Sequence, residues 1–261
     1  MLLRLTATQF VRVMTSGRTN PILCGCSNSA GNPAGEFIVK LLGQPKDGNC
    51  GALFELVASR IAQYFDILVP EAAAIEVTTD FAEIVAEVQP QLAATLRAAV
   101  GLNFGSRVIN PMTTWLVGRS IPEAMIADAV KVFAFDALIQ NPDRRADNPN
   151  LFTQGDDIYA YDHEMSFSFL FALAVSHQSW NLEDQNYLKQ HVFHSRLKSR
   201  ELDFTNFRDR LNALTEIVLA RIKAEVPKEW THENLERIEA HLNEIREHTD
   251  EFVEQVRRRL A

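Results

Sequence analysis

Asn141-Pro-Asp-Arg-Arg-Ala-Asp-Asn-Pro-Asn-Leu-Phe152, with Tyr159-Ala-Tyr-Asp-His-Glu-Met-Ser-Phe167 shortly after it, is the stretch whose reading decides the fold. It sets carboxylates and amides between two apolar runs, Val130 to Ile139 before it and Phe167 to Val175 after it. A polar loop carried on a buried scaffold is the pattern of an active site.

Three oxygen donors stand out. Asp143 and Asn148 lie five residues apart on the loop, and Asp162 follows Ile158-Tyr-Ala-Tyr161, a short apolar piece that reads as a strand. A Mg²⁺ ion holding a nucleoside triphosphate takes one or two carboxylates and an amide oxygen, with phosphate and water completing the octahedron. A loop aspartate, an asparagine five residues on and an aspartate closing a hairpin strand is the spacing by which protein kinases place a catalytic base and two metal ligands. Asn-Pro-Asp and Asp-Asn-Pro are also turn formers, because Asn and Asp bond their own backbone and Pro fixes φ. The loop alone therefore leaves both readings open, and the rest of the chain has to decide.

The chain has 261 residues, 46% of them hydrophobic, enough for a large core in one domain or in two joined lobes. A net charge of −8 argues against a nucleic-acid footprint or an anionic-membrane surface, since both need a basic face. The longest nearly apolar run, Met165 to Val175, falls well short of the ~20 residues a membrane helix needs. The first ten residues alternate more than the apolar core of a signal peptide and lack its basic start, so a cytoplasmic protein is expected. Cys24, Cys26 and Cys50 offer neither a disulfide framework nor a second ligand pair for zinc, and read as buried thiols. His191 and His194 could share a helix face, but no acidic or cysteine partner completes a metal set, and both read as surface residues.

Along the chain, residues 3–13 alternate, Ile22-Leu-Cys-Gly-Cys26 follows as a second strand, and Glu36 to Leu42 as a third with Lys40 inside an apolar run. A lysine there either snorkels outward or points into a cleft toward an anion. Gly51 to Phe65 carries apolar residues at helical spacing, with Glu55 near its start, able either to pair with Lys40 or simply to favour the helix dipole. Ala72 to Val77 reads as a fourth strand, residues 80–100 as an inserted helix and Gly101 to Ile109 as the last strand, before a hinge at Asn110-Pro111. From there the pattern predicts helices over Pro122–Leu138, 176–200, Phe204–Val226 and Thr231–Leu260. The expected architecture is thus α+β and two-lobed: residues 1–110 form a small β-rich lobe with a five-stranded sheet, one lysine-pairing helix and one inserted helix, and 111–261 form a helical lobe carrying the catalytic and metal-binding loops.

In this order the motifs resemble the HipA-like kinases, an atypical kinase branch related to the phosphoinositide kinases. The resemblance spans nearly the whole chain. It is carried by Ser16-Gly-Arg-Thr-Asn-Pro21, Glu36-Phe-Ile-Val-Lys40, Glu55, Leu68-Val-Pro70, Asn141-Pro-Asp143, Asn148-Pro-Asn-Leu151, Asp162-His-Glu-Met-Ser-Phe167 and Val226-Pro-Lys-Glu-Trp230. It implies a two-lobed kinase fold and a Mg²⁺-dependent transfer of the γ-phosphate of ATP, most simply to a protein serine or threonine. It further implies that Lys40 grips the α and β phosphates, Glu55 orients Lys40, Asp143 acts as base, Asn148 and Asp162 hold the metal, and Ser16, Gly17, Arg18 and Thr19 cover the phosphates with backbone N–H groups.

Departures from ordinary protein kinases agree with the atypical branch. The loop has no His-Arg-Asp start, His163-Glu164 follow Asp162 where Phe-Gly would stand, and no Ala-Pro-Glu comes after. The acceptor stays open, so a lipid or small-molecule kinase, an AMP transferase and a nucleotide-binding regulator without turnover remain as alternatives, as does a regulatory protein partner. Asn150 competes with Asn148 as metal ligand, Asp147 with Asp143 as base, and Arg144 either offsets phosphoryl charge or pairs with Asp147.

Overall fold

The computed structural model describes residues 1–14, 20–41, 50–171, 178–230 and 234–261. Ser16, Gly17, Arg18 and Thr19, expected to cover the phosphates, lie outside the described residues. The chain divides into two compact units, and the division is not a single cut. One comprises Met1–Leu56, Pro70–Asn110 and Glu225–His232; the other takes Val57–Val69, Pro111–Ala224 and Glu233–Ala261.

The first unit is built on a closed barrel. Strands β1 (Leu3–Val13), β2 (Ile22–Ser27), β3 (Pro33–Lys40), β4 (Ala72–Val77) and β5 (Gly101–Arg107) follow one another around it in the order β1-β2-β3-β5-β4. Closure comes from parallel pairing of β1 with β4, from Leu3 opposite Ala73 to Thr6 opposite Glu76. Register shifts between Ala7 and Gln9 and between Phe10 and Arg12 mark irregularities in β1, the kind of device that bends a strand round a small barrel. The inward residues Leu5, Ala7, Ile22, Cys24, Cys26, Phe37, Val39, Ile75 and Val77 form the core. Gly105 of β5 is required there, because a Cβ at that position would come within 2.5 Å of Ile75 Cγ1. The Cys24 and Cys26 thiols are free, and burial pushes Cys26 up to about 11, so both are inert packing groups.

The inserted helix over 80–100 is two helices, α2 (Thr79–Val88) and α3 (Ala93–Ala98), separated by a 3-10 turn at Pro90–Leu92. Gln89-Pro90 breaks it, since proline has no N–H and restricts the residue before it. Thr78 caps α2 by accepting the Phe81 N–H at 3.1 Å, and Phe81, Ala82, Val85 and Ala86 close one side of the barrel core. Arg97 of α3 clasps Glu83 of α2 with two bonds of 2.7 Å. The Val226-Pro-Lys-Glu-Trp230 motif belongs to this unit as well: the Trp230 indole N–H donates to Leu102 O at 3.0 Å, closing over β5.

The second unit centres on α4 (Ile126–Leu138), buried from Ala129 to Leu138 apart from Lys131, as expected of a helix wrapped by others. A small sheet of order β6-β7-β8 (Thr113–Thr114, Leu151–Gln154 and Asp157–Ala160) lies in this unit, so it is not purely helical. Among the described residues, the remaining α-helices are α5 (His194–Leu197), α6 (Thr205–Asn212), α7 (Glu216–Glu225), α8 (Leu235–Glu247) and α9 (Thr249–Leu260).

Three helix expectations are corrected here. Residues 178–200 hold only a 3-10 turn at Asn186–Gln190 and the short α5, because the backbone is spent on the neighbouring loop: Ala146 N donates to Gln190 O at 3.0 Å and Val192 N to Arg144 O at 3.0 Å. Residues 204–226 are two helices, broken where the buried Leu214 turns inward ahead of Thr215-Glu216, a start signal for the next helix. The last stretch divides at His248, where Thr249-Asp250-Glu251 opens α9 with carboxylates in its first turn. Among the described residues, no helix is long and apolar enough to cross a membrane.

Candidate active site

In the first unit, β3 ends on Lys40, opposite Phe104 of β5. The helix α1 (Gly51–Tyr64) follows, and its buried Leu53, Phe54 and Leu56 fix the face from which Glu55 projects. Lys40 Nζ is ion-paired with Glu55 Oε1, with the lysine side chain 11% and the glutamate 2% exposed. The lysine therefore does not snorkel out. A strand lysine held by a helix glutamate is a charge kept in place at the edge of the barrel, where it can meet an anion.

In the second unit, the loop after α4 folds on itself around Asp143. The Asp143 N–H donates to Asn141 Oδ1 at 3.1 Å, an Asx turn that starts the loop. Asp143 Oδ2 accepts Asn148 Nδ2 at 2.9 Å and Asn150 Nδ2 at 3.2 Å. Both asparagines thus bind the same carboxylate oxygen and turn their amide oxygens away from it. Asp147 is exposed and engaged by Arg145 Nε at 3.0 Å, a bond that holds its carboxyl below the usual range. Of the two loop aspartates, Asp143 is the one enclosed by neighbours.

Asp162 follows β8 and is tied to the same loop through its neighbours. Tyr161 N donates to Asn150 O at 3.1 Å, and farther on Phe167 N donates to Ile139 O at 2.6 Å and Ser168 Oγ to Gln140 O at 2.9 Å. Loop and Asp162 segment therefore both return to the end of α4. Gln140, Asn150, Asp162 and Phe167 all have φ between 46° and 60°, left-handed values that non-glycine residues adopt at a cost. Their concentration around one loop is the backbone strain typical of functional sites.

Residues 7–256 match the HipA-like kinase family. The chain belongs to that family. The fold agrees: the HipA-like kinase chain is similar to the crystal structure of a Helicobacter pylori proinflammatory kinase, CtkA, with a TM-score of 0.52 and 12% identity over 98% of this chain and 99% of that one. A Neurospora crassa PAN3 pseudokinase aligns with a TM-score of 0.36 and 14% identity over 96% of this chain and 64% of that chain, too remote to carry an argument. No curated protein matches the sequence. The fold class is thus α+β and kinase-like, with a β-rich first unit and a mainly helical second one.

Two readings of single residues are corrected in this HipA-like kinase. Arg144 does not pair with Asp147. It is fully buried and bound through Nε to Asp136 Oδ2 at 2.6 Å, while its neighbour Arg145 takes Asp147. His191 is not a surface residue either: it is buried, and its Nε2 lies 2.9 Å from Asp136 Oδ2. Asp136 itself was missed. Its one sequence signal is a carboxylate on the otherwise apolar face of α4, which demands a cation or donors wherever the helix is buried. Burial pushes the Asp136 carboxyl up, but the Arg144 guanidinium and the His191 bond outweigh it and hold the acid below the usual range. Kinase membership implies ATP and a divalent metal ion, and the donor chemistry of the second unit fits Mg²⁺: carboxylates and amide oxygens are the hard ligands it takes.

Proposed function

We propose that the chain is an ATP-dependent phosphotransferase, passing the γ-phosphate of Mg-ATP to a protein serine or threonine in the cytoplasm, on a branch shared with the phosphoinositide kinases. The observation that carries this is the Asp143 carboxylate, enclosed by Asn148 and Asn150 at 2.9 and 3.2 Å on a loop tied to the Asp162 turn. In this reading Asp143 accepts the proton of the acceptor hydroxyl. The two asparagine amides aim its carboxylate, and one amide oxygen, Asn148 by spacing, joins Asp162 in holding the metal. Lys40 neutralises charge on the α and β phosphates, and Glu55 keeps the ammonium in place. Ser16 to Thr19 cover the phosphates. When bound, Mg²⁺ neutralises charge on the phosphate oxygens; positioning and charge are most of what phosphoryl transfer requires.

The test is label transfer from γ-labelled ATP with Mg²⁺, to the protein itself or to co-expressed proteins. Wild type transfers label to a serine or threonine and Asp162→Ala does not. Equal labelling by both removes the assignment of Asp162. Label arriving from α-labelled ATP replaces the kinase reading by AMP transfer.

A further inference from the structure

We propose that Arg144 is a positioning residue for this chemistry, holding the Asn150 turn and the Tyr161–Asp162 turn in register with the loop that carries Asp143. The inference rests on the kinase reading above and names what sets its geometry. Arg144 Nη1 donates to Asn150 O at 2.7 Å and to Tyr161 O at 3.1 Å. The first carbonyl belongs to a residue that itself bonds Asp143, and the second precedes Asp162. One guanidinium nitrogen thus spans the Asn150 carbonyl, two residues beyond the proposed ligand Asn148, and the Tyr161 carbonyl, directly before Asp162.

The guanidinium is fixed from behind. Asp136 Oδ2 accepts Arg144 Nε at 2.6 Å, and Oδ1 accepts Asn141 Nδ2 at 3.1 Å, whose own Oδ1 receives the Asp143 N–H. The same buried carboxylate therefore anchors the base through Asn141 and both carbonyls through Arg144. His191 completes the hub: its Nδ1 receives the Phe193 N–H at 3.1 Å, so its proton sits on Nε2 and is donated to Asp136.

A structural account alone does not explain this arrangement. A fully buried ion pair is a poor source of stability, and apolar side chains of the same volume hold segments together at least as well. They cannot, however, fix the direction of two carbonyls. Those carbonyls bear on Asn150 at φ 48° and Asp162 at φ 60°, backbone conformations that need holding. Arg144 Nη2 is buried without a hydrogen-bond partner among the described residues, a cost consistent with the guanidinium being placed by its other bonds.

The test compares wild type with Arg144→Lys in the full chain. Lysine keeps the charge beside Asp136 but lacks the fork that reaches both carbonyls. The Mg²⁺ midpoint is read at saturating ATP in two ways, from the nucleotide-induced rise in melting temperature and from the single-turnover rate of γ-phosphate transfer. For Arg144→Lys the midpoint moves up on the order of ten- to hundredfold, the usual effect of losing the support behind a ligand, while the melting temperature without nucleotide changes little. If Arg144→Lys fails to fold, Arg144→Gln takes its place, which leaves Asp136 with its Asn141 and His191 bonds but is too short to reach both carbonyls, with the same Mg²⁺ shift expected. An unchanged Mg²⁺ midpoint in a folded variant overturns the proposal, as does an activity loss that follows melting temperature and vanishes on cooling. A wild type showing neither a Mg²⁺-dependent shift nor transfer overturns the kinase reading itself, and the inference with it.

Discussion

Each unit contains a buried ion pair, and the two are built differently. In the first unit, Lys40 at the end of β3 meets Glu55, and the lysine keeps 11% of its side chain exposed. In the second, Arg144 and Asp136 are both at 0% exposure, and the arginine bonds two backbone carbonyls besides its acid. An ammonium is a point charge on a flexible stem, whereas a guanidinium is a rigid fork with directed donors. The lysine pair presents a charge; the arginine pair sets an arrangement of backbone.

The sharpest way to break this comparison is to remove each cation and compare the cost. Arg144→Met leaves the Asp136 carboxylate buried without its cation, and a loss of about 3–5 kcal/mol in urea unfolding is expected. A loss no larger than that of an exposed arginine variant such as Arg258→Met would mean the pair organises little. Lys40→Met should be milder for stability, about 1–3 kcal/mol, because the lysine side chain is 11% exposed, whereas Arg144 is fully buried and also holds two backbone carbonyls. Its main effect is on transfer, which falls on the order of 10²–10³-fold, the usual loss of one charge-stabilising group. Reversal of that order, with the lysine variant the less stable of the two, would contradict the contrast.

Acid sharpens it further. Burial holds the His191 imidazole below its ordinary 6.5, against the raising effect of Asp136 and with Arg144 and His194 also facing it. Below pH 6.5 the unfolded chain takes up a proton at this position before the folded chain does, so this group's contribution to stability is present above 6.5 and is lost as pH falls toward its lower folded value. His191→Gln keeps a neutral N–H donor but cannot titrate, so the fall in melting temperature between pH 7 and 5.5 is smaller than in wild type. An identical pH dependence in the two proteins would place the titration elsewhere, His194 being the nearest alternative. The smallest effect is a reference for the first unit. Thr78→Ala deletes only the cap of α2 and costs about 1 kcal/mol in urea unfolding, so a cost matching Arg144→Met would show that ordinary helix ends matter as much as the buried hub.

Much of the fold was legible along the chain. Alternation marked the strands, the 3.6-residue spacing of Leu53, Phe54 and Val57 marked α1, and Asp143, Asn148 and Asp162 could be singled out by spacing alone. Helix interruptions were legible only in hindsight: Gln89-Pro90 and Thr249-Asp250-Glu251 carry ordinary stop and start signals, but the apolar stripe runs through both and hides them. The stretch 178–200 misled because its polar pattern suits a helix surface, while its backbone is bonded to the loop instead.

Local pattern was sufficient for the barrel strands, for α1 and α4 and for the residues rich in ligand atoms, because periodicity and turn chemistry act over a few positions; it was not sufficient for 178–200, nor for the short strands β6 and β7. Partner choice was not local. Whether Lys40 faced water or Glu55, whether Arg144 or Arg145 took Asp147, and whether His191 lay outside or against Asp136 depended on segments far apart in the chain meeting in three dimensions. A charged side chain accepts whichever opposite charge or carbonyl the packing brings to it, and only the tertiary structure specifies which one arrives.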